Sequence, residues 1–199
     1  MEKTIKIPHI SFYFVRHGET AWNLEHKYMG QADIPLNATG LEQAQIVAKN
    51  IAHLEISHIV SSPLKRTIQT AEIIATNMNI PIVIMDQLKV CSVGILEGRP
   101  KGDGKLYENW KMGGEIAGAE NLPDYVQRIA IGVNSALTKN TNKKPILFVN
   151  HGPMYWALLQ ILNVQDVKMS IKNCDAYFFS SPNSESSKWT VHALNKNTK

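Results

Sequence analysis

Residues 10–15 read Ile-Ser-Phe-Tyr-Phe-Val, a nearly continuous apolar run rich in β-formers, and the pattern predicts a strand buried on both faces. A polar, glycine-containing stretch follows to Gly40. From there the apolar positions Leu41, Ala44, Ala48, Ile51, Ala52 and Leu54 recur at helical spacing. Residues 56–60 predict a second buried strand. Ser62 and Pro63 then predict a helix start, with serine as the cap and proline at the first helical position. The apolar positions of that helix include Leu64, Ile68, Ala71 and Ile74, and residues 80–85 predict a third strand.

Residues 86–120 break this rhythm. Gly94, Gly98, Pro100, Gly102, Gly104, Gly113, Gly114 and Gly118 punctuate them, with a short helix predicted at 106–110. An excursion of this kind inside a compact domain is usually functional or disordered. Helix resumes near Pro123 and runs to about Leu137, followed by a strand at 146–149 and a helix from Gly152 and Pro153 to about Leu162. Residues 176–180 and 189–193 predict a closing hairpin, and the tail after Leu194 is expected to fray. Strands alternating with helices imply an α/β fold, a three-layer α/β/α sandwich around a mostly parallel sheet. One domain is expected across residues 1–199, with a small, loop-rich cap inserted at about 99–119.

Composition narrows the class. The 199 residues are 44% apolar and 19% charged, ordinary for a globular chain, with enough apolar residues to build a core without staples. The net charge of +4 is modest and scattered, Lys143 and Lys144 being the densest pair, which argues for a small anion and against nucleic acid. Cys91 and Cys174 form no CxxC pair, and no zinc-ligand spacing is present, so no metal is expected and the thiols are expected to be reduced. The N-terminal apolar stretch lacks the features of a signal peptide, and nothing has the length of a membrane span. The protein is expected to be cytoplasmic, without a membrane partner.

In open α/β sheets, ligands bind at the carboxyl ends of the strands. Three polar groups fall there: Arg16 and His17 after the first strand, Ser62, Pro63 and Arg66 after the second, and His151 and Gly152 after the strand at 146. Two helix N-termini and two arginine forks suit phosphate oxygens. A histidine amid arginines has its pKa pushed down, which favours a neutral imidazole able to attack phosphorus.

The motifs at these places resemble those of the histidine phosphatase superfamily, whose fold is phosphoglycerate-mutase-like. RHGETAWN at 16–23 is similar to its RHG(E/Q)(T/S)xxN signature, SSPLKRTIQTA at 61–71 to SSPLxRxxQTA, and VNHG at 149–152 to V(S/T)HG. GQADIPL at 30–36, LEG at 96–98 and Asn173 also have counterparts, so the match spans about residues 10–180 in order. The resemblance implies that His17 is the nucleophile that becomes phosphohistidine and that Arg16, Arg66 and His151 clamp the transferring oxygens. Asn23, Gly30, Gln31 and Gly152 would line the phosphate pocket. Glu120 matches the glutamate of the family's GES segment, with Ala119 replacing its glycine, and is read either as a pocket residue or as a helix N-terminal charge. No cofactor is implied, because fixed arginines supply the charge stabilisation.

One departure bears on the chemistry. In LKVCSVGILEG at 88–98, Val90 stands where the family's stretch has the glutamate that protonates the leaving oxygen. Losing a general acid costs about 10²–10⁴ in rate. Either another carboxylate, Glu120 or Glu97, replaces it, or the substrate hardly needs an acid, as with a phosphoramidate. Three functions follow. The first is a phosphatase acting on a small phosphorylated metabolite or a phosphohistidine protein. The second is a phosphoglycerate mutase-type phosphotransferase, disfavoured by the short excursion at 99–119. The third is a degenerate phospho-ligand-binding protein with little turnover. His9, His26, His53, His58 and His192 read as surface or packing residues, as do Trp22, Trp156 and Trp189, while Trp110 is a candidate for the cap. KGDGK at 101–105 lacks the Walker spacing and reads as a solvated turn.

Overall fold

The computed structural model describes residues 5–102, 104–142, 144–165, 167, 170–184 and 186–194. Lys143, Asp103 and the tail after Leu194, on which sequence expectations fall, lie outside them. Along the chain come β1 (Phe12–Arg16), α1 (Ala21–Leu24), α2 (Ala38–Ile51), β2 (Ile59–Ser61), α3 (Lys65–Met78) and β3 (Ile82–Ile84). After 3₁₀ turns at Asp86–Leu88 and Gly94–Leu96 follow α4 (Lys105–Lys111), α5 (Leu122–Lys139), β4 (Leu147–Asn150), α6 (Gly152–Ile161), β5 (Ala176–Ser180) and β6 (Thr190–Ala193).

The strands form one six-stranded sheet in the order β3-β2-β4-β1-β5-β6. The three pairings among β3, β2, β4 and β1 are parallel, and the two that add β5 and β6 are antiparallel. Period-two alternation in β1 explains the layers. Phe12 and Phe14 join Phe148, Tyr155 and the α5 residues Ile129 and Val133 on one face. Val15 joins Leu147, Val149 and the α2 and α3 residues Val47, Ile51 and Ile74 on the other. Both faces are therefore covered by helices, which is why the central strands read as continuous apolar runs.

The helix limits follow their caps. Asn37 accepts from the Gly40 amide at the start of α2, and Asn121 from the Asp124 amide at the start of α5. The helix expected to open at Ser62 and Pro63 begins instead at Lys65, with Leu64 in extended backbone at its cap position and no side-chain cap. Leu64 rather than Ser62 supplies the carbonyl for the Thr67 and Ile68 amides, which leaves the serine outside the helix.

Candidate functional site

Strand register builds the site. Arg16 pairs with Asn150 across β1 and β4, and Ser61 pairs with Val149 across β2 and β4. The residues that follow, His17, His151 and Ser62, therefore leave three adjacent parallel strands at the same end of the sheet. The His17 amide continues the ladder by donating to the Asn150 carbonyl at 2.9 Å. The two imidazole centroids lie 5.3 Å apart with their planes inclined by 64°.

Each group is held by specific partners. His17 Nδ1 lies 2.7 Å from the Gly18 carbonyl, which can only accept, so Nδ1 carries the proton and Nε2 keeps its lone pair. The Gly18 amide donates to Thr70 Oγ1 at 3.1 Å. A Cβ on Gly18 would run into the Gly40 carbonyl, so only glycine lets this loop pack so closely on α2. Arg66, 1% exposed, donates to the Ala32 carbonyl at 2.7 Å, to the Gly30 carbonyl at 2.9 Å and from Nε to His151 Nδ1 at 3.4 Å. Arg16 donates to the Ile171 carbonyl at 2.6 Å, while its buried Nε has no acceptor among the described residues. A buried, charged donor without a protein partner is what an incoming anion would satisfy.

Electrostatics sharpen the picture. Burial, then Arg66 and Arg16, hold His17 well below the usual histidine range. Burial, Arg66 and His17 do the same for His151. Both rings are neutral at pH 7. Burial pushes the Arg66 guanidinium down to about 10, still charged at neutral pH. A neutral imidazole thus lies within the field of two guanidinium groups, a setting suited to phosphoryl transfer.

These groups line a cleft of about 350 Å³. Arg16, His17, Arg66, His151, Asn23, Gly30 and Gly152 all line it, as the sequence predicts. Gln31 and Glu120 do not. Gln31 Nε2 donates to the Val90 carbonyl at 3.0 Å. Glu120 is turned onto Arg128, with oxygens 2.8 Å from Nε and 2.6 Å from Nη2. Neither is a pocket residue in this structure. Asn23 is fixed by a capping box with Thr20 and by Asn173 Nδ2, 3.3 Å from its Oδ1. Val90 is on the cleft wall beside Cys91. Trp110 is buried and donates to the Glu120 carbonyl, so it packs the cap without lining it.

The sequence reading missed several cleft residues. Lys101 and Gly104, taken as part of a solvated turn, line the cleft, as do the aromatic side chains of Tyr28, Tyr107 and Trp156. Ser62 Oγ, freed from capping, lies 3.0 Å from His151 Nε2. Ser62 was among the polar groups that the sequence places at the strand ends, although it was read there as a helix cap; no local pattern pointed to Tyr107. A second hollow of about 380 Å³ between α2 and α3, lined by Lys49, Glu72 and Asn77, lies at the carboxyl ends of these helices, away from the strand ends that carry the histidines. Cys91 and Cys174 are both free and buried. Among the described residues no cluster of metal ligands occurs, and no helix is long and apolar enough to cross a membrane.

Comparison with known proteins places this geometry. The profile of the histidine phosphatase superfamily (branch 1) matches residues 12–197. A protein of Proteus mirabilis (strain HI4320) named probable phosphoglycerate mutase GpmB is 34% identical over 177 residues, 83% of this chain and 82% of that one. Its namesake from Yersinia enterocolitica is 35% identical over 161 residues, 77% of this chain and 74% of that one. Among solved structures, a mycobacterial glucosyl-3-phosphoglycerate phosphatase superposes with a TM-score of 0.79 at 20% identity, covering 94% of this chain and 100% of that one. A putative alpha-ribazole-5'-P phosphatase from Escherichia coli gives 0.76 at 23%, covering 94% and 97%.

Proposed function

The chain belongs to the histidine phosphatase superfamily, and from that premise we propose that it hydrolyses phosphate monoesters or phosphoramidates through a phosphohistidine on His17. One observation carries the reading: Nδ1 of a neutral His17 is committed to the Gly18 carbonyl, which leaves Nε2 as the nucleophile beside His151, Arg16 and Arg66. In this reading Nε2 attacks phosphorus in line with the leaving group. Arg16 and Arg66, already charged and oriented, neutralise the equatorial oxygens without reorganisation. Water then displaces the phosphoryl group from His17. Asn23, Gly30 and Gly152 line the same cleft and would shape the phosphate pocket, and no metal or other cofactor is required.

The substrate in this reading is a small phosphorylated metabolite or a phosphohistidine protein, met in the cytoplasm. The excursion carrying α4 spans only about residues 99–119 and serves as a small cap on a single domain. That brevity supports release of phosphate to water over its return to a bound intermediate. A mutase reading draws support from the naming of the Proteus and Yersinia relatives. The two are separated by rapid-quench labelling with a radioactive phosphomonoester. Hydrolysis predicts acid-labile label on His17 that decays to inorganic phosphate; label passed on to an added phosphoglycerate would establish the mutase. His17→Ala should abolish label and turnover together, and undiminished turnover would refute both.

A further inference from the structure

With Val90 on the cleft wall, the leaving oxygen needs another source of a proton. The carboxylates weighed from sequence are engaged elsewhere. Both oxygens of Glu120 face Arg128, and Glu97 Oε2 accepts the Ala32 amide at 3.0 Å. Glu108 is the one carboxylate among the described residues lining the cleft; it is largely exposed and paired to Lys111 at 2.9 Å.

Two phenols also line the cleft. The Tyr28 hydroxyl donates to the Lys101 carbonyl at 3.3 Å. The Tyr107 hydroxyl meets the Cys91 thiol, next in sequence to Val90. Its ring is fixed by a stack on Trp110, with centroids 5.4 Å apart and planes 16° apart, and by the Lys111 ammonium 5.0 Å from its centroid. Sulfur is a weak acceptor, so this phenolic proton is the cheaper of the two to redirect.

We infer that Tyr107, carried on α4, donates the proton that Val90 cannot, at the wall where the family's glutamate would stand. The inference rests on the phosphohistidine reading above. His17 Nε2 forms the N–P bond as the ester P–O bond breaks, and the departing oxygen keeps the electron pair and takes the phenolic proton. Water next attacks phosphorus, the N–P pair returns to Nε2, and the proton lost by water restores the phenol. The sum is ester plus water giving alcohol plus phosphate. Burial and the neighbouring Cys91 keep Tyr107 protonated well above neutral pH, yet an alkoxide is a stronger base still.

The test compares wild type, Tyr107→Phe, Glu108→Gln and the double variant Tyr107→Phe with Val90→Glu, on glycerol phosphate and on aryl phosphates of graded leaving-group pKa. Tyr107→Phe should lose about 10²-fold or more on the alkyl ester and far less on p-nitrophenyl phosphate. The dependence on leaving-group pKa should steepen, label on His17 should persist, and Val90→Glu should restore part of the alkyl activity. Equal losses on both substrate types, an unchanged dependence, or steepening in Glu108→Gln instead would overturn the inference. Wild type that turns over without ever labelling His17 would overturn the underlying reading, a result visible without any variant of Tyr107.

Discussion

The Ser62 hydroxyl lies 3.0 Å from His151 Nε2, while the Arg66 Nε reaches Nδ1 of the same ring at 3.4 Å. A guanidinium can only donate, so Nδ1 accepts and the proton of the neutral ring is on Nε2, shared with Ser62. The tautomer and orientation of His151 are thus set by residues from the loop after β2 and the first turn of α3.

Removing the hydroxyl tests that assignment. Ser62→Ala leaves a buried N–H without its acceptor, a loss of about 1–3 kcal/mol. Where His151 acts in the transition state, that corresponds to a fall of roughly 5- to 150-fold in kcat/KM. Steady-state kinetics with p-nitrophenyl phosphate, beside a melting curve, measure it. A rate equal to wild type would mean that the serine does not hold the ring.

The two histidines also make stability depend on pH in one direction. Burial first, then Arg66, keeps His17 and His151 well below 6.5 in the native state, whereas in the unfolded chain they titrate near that value. Below about pH 6.5 the unfolded state therefore binds protons that the native state refuses. Stability is full above that pH and declines as pH falls, by up to about 1.4 kcal/mol per pH unit for each histidine, until each native pKa is reached. Urea titrations between pH 7 and 5 should show this decline, and His151→Gln should flatten it. An acid-side slope unaffected by the substitution would contradict the burial of a neutral ring.

Much of this site was legible in the sequence because the signals are local. RHG after an apolar run, SSPLKR after the next and NHG after a third put polar groups at strand ends, and the parallel order β2-β4-β1 makes those ends neighbours. Layering was equally readable, since Phe12, Phe14 and Val15 alternate between two apolar cores. What escaped depends on contacts between distant segments. The start of α3 was misplaced because Ser62 and Pro63 satisfy the local rules for a helix start while Leu64 stays extended. Glu120 was drawn toward the pocket by a motif, yet Arg128, two turns along α5, holds both its oxygens. Tyr107 lies in the glycine-rich excursion, where no periodicity reports which side chains turn inward.

The Gly30 backbone is a second point of control. Its φ of +49° lies in the left-handed region, and a Cβ there would approach Glu97 Oε2 and Val93 Cγ2 at 2.7 Å. Its carbonyl is one of the two carbonyls that fix Arg66. Gly30→Ala therefore adds about 1–2 kcal/mol of backbone strain and displaces an acceptor of the clamp. Activity should fall further than stability does, with kcat/KM down by about 10-fold or more, measured beside the urea midpoint. Arg66→Lys should be worse still, because one ammonium cannot span the carbonyls of Gly30 and Ala32 and His151 Nδ1 at once. Activity undiminished by Arg66→Lys would refute the clamp.

Arg128 and Glu120 give the contrasting case. Besides its two bonds to Glu120, Arg128 Nη1 donates to the carbonyls of Gln87 and Lys89, each at 2.8 Å. One guanidinium thereby ties the start of α5 to the 3₁₀ turn at Asp86–Leu88 and to Lys89, which precedes Val90 and Cys91 on the cleft. The pair is only partly exposed, with 26% and 19% of the two side chains accessible, so solvent screens it incompletely. Glu120→Gln removes a charge-assisted pair worth about 1.5–3 kcal/mol before discounting for that exposure, and the expected loss of stability is about 1 kcal/mol. Because Glu120 does not line the cleft, KM should stay near wild type, whereas a true pocket glutamate would show its loss first in KM. Denaturant midpoints and substrate saturation curves on the same variant decide between these roles.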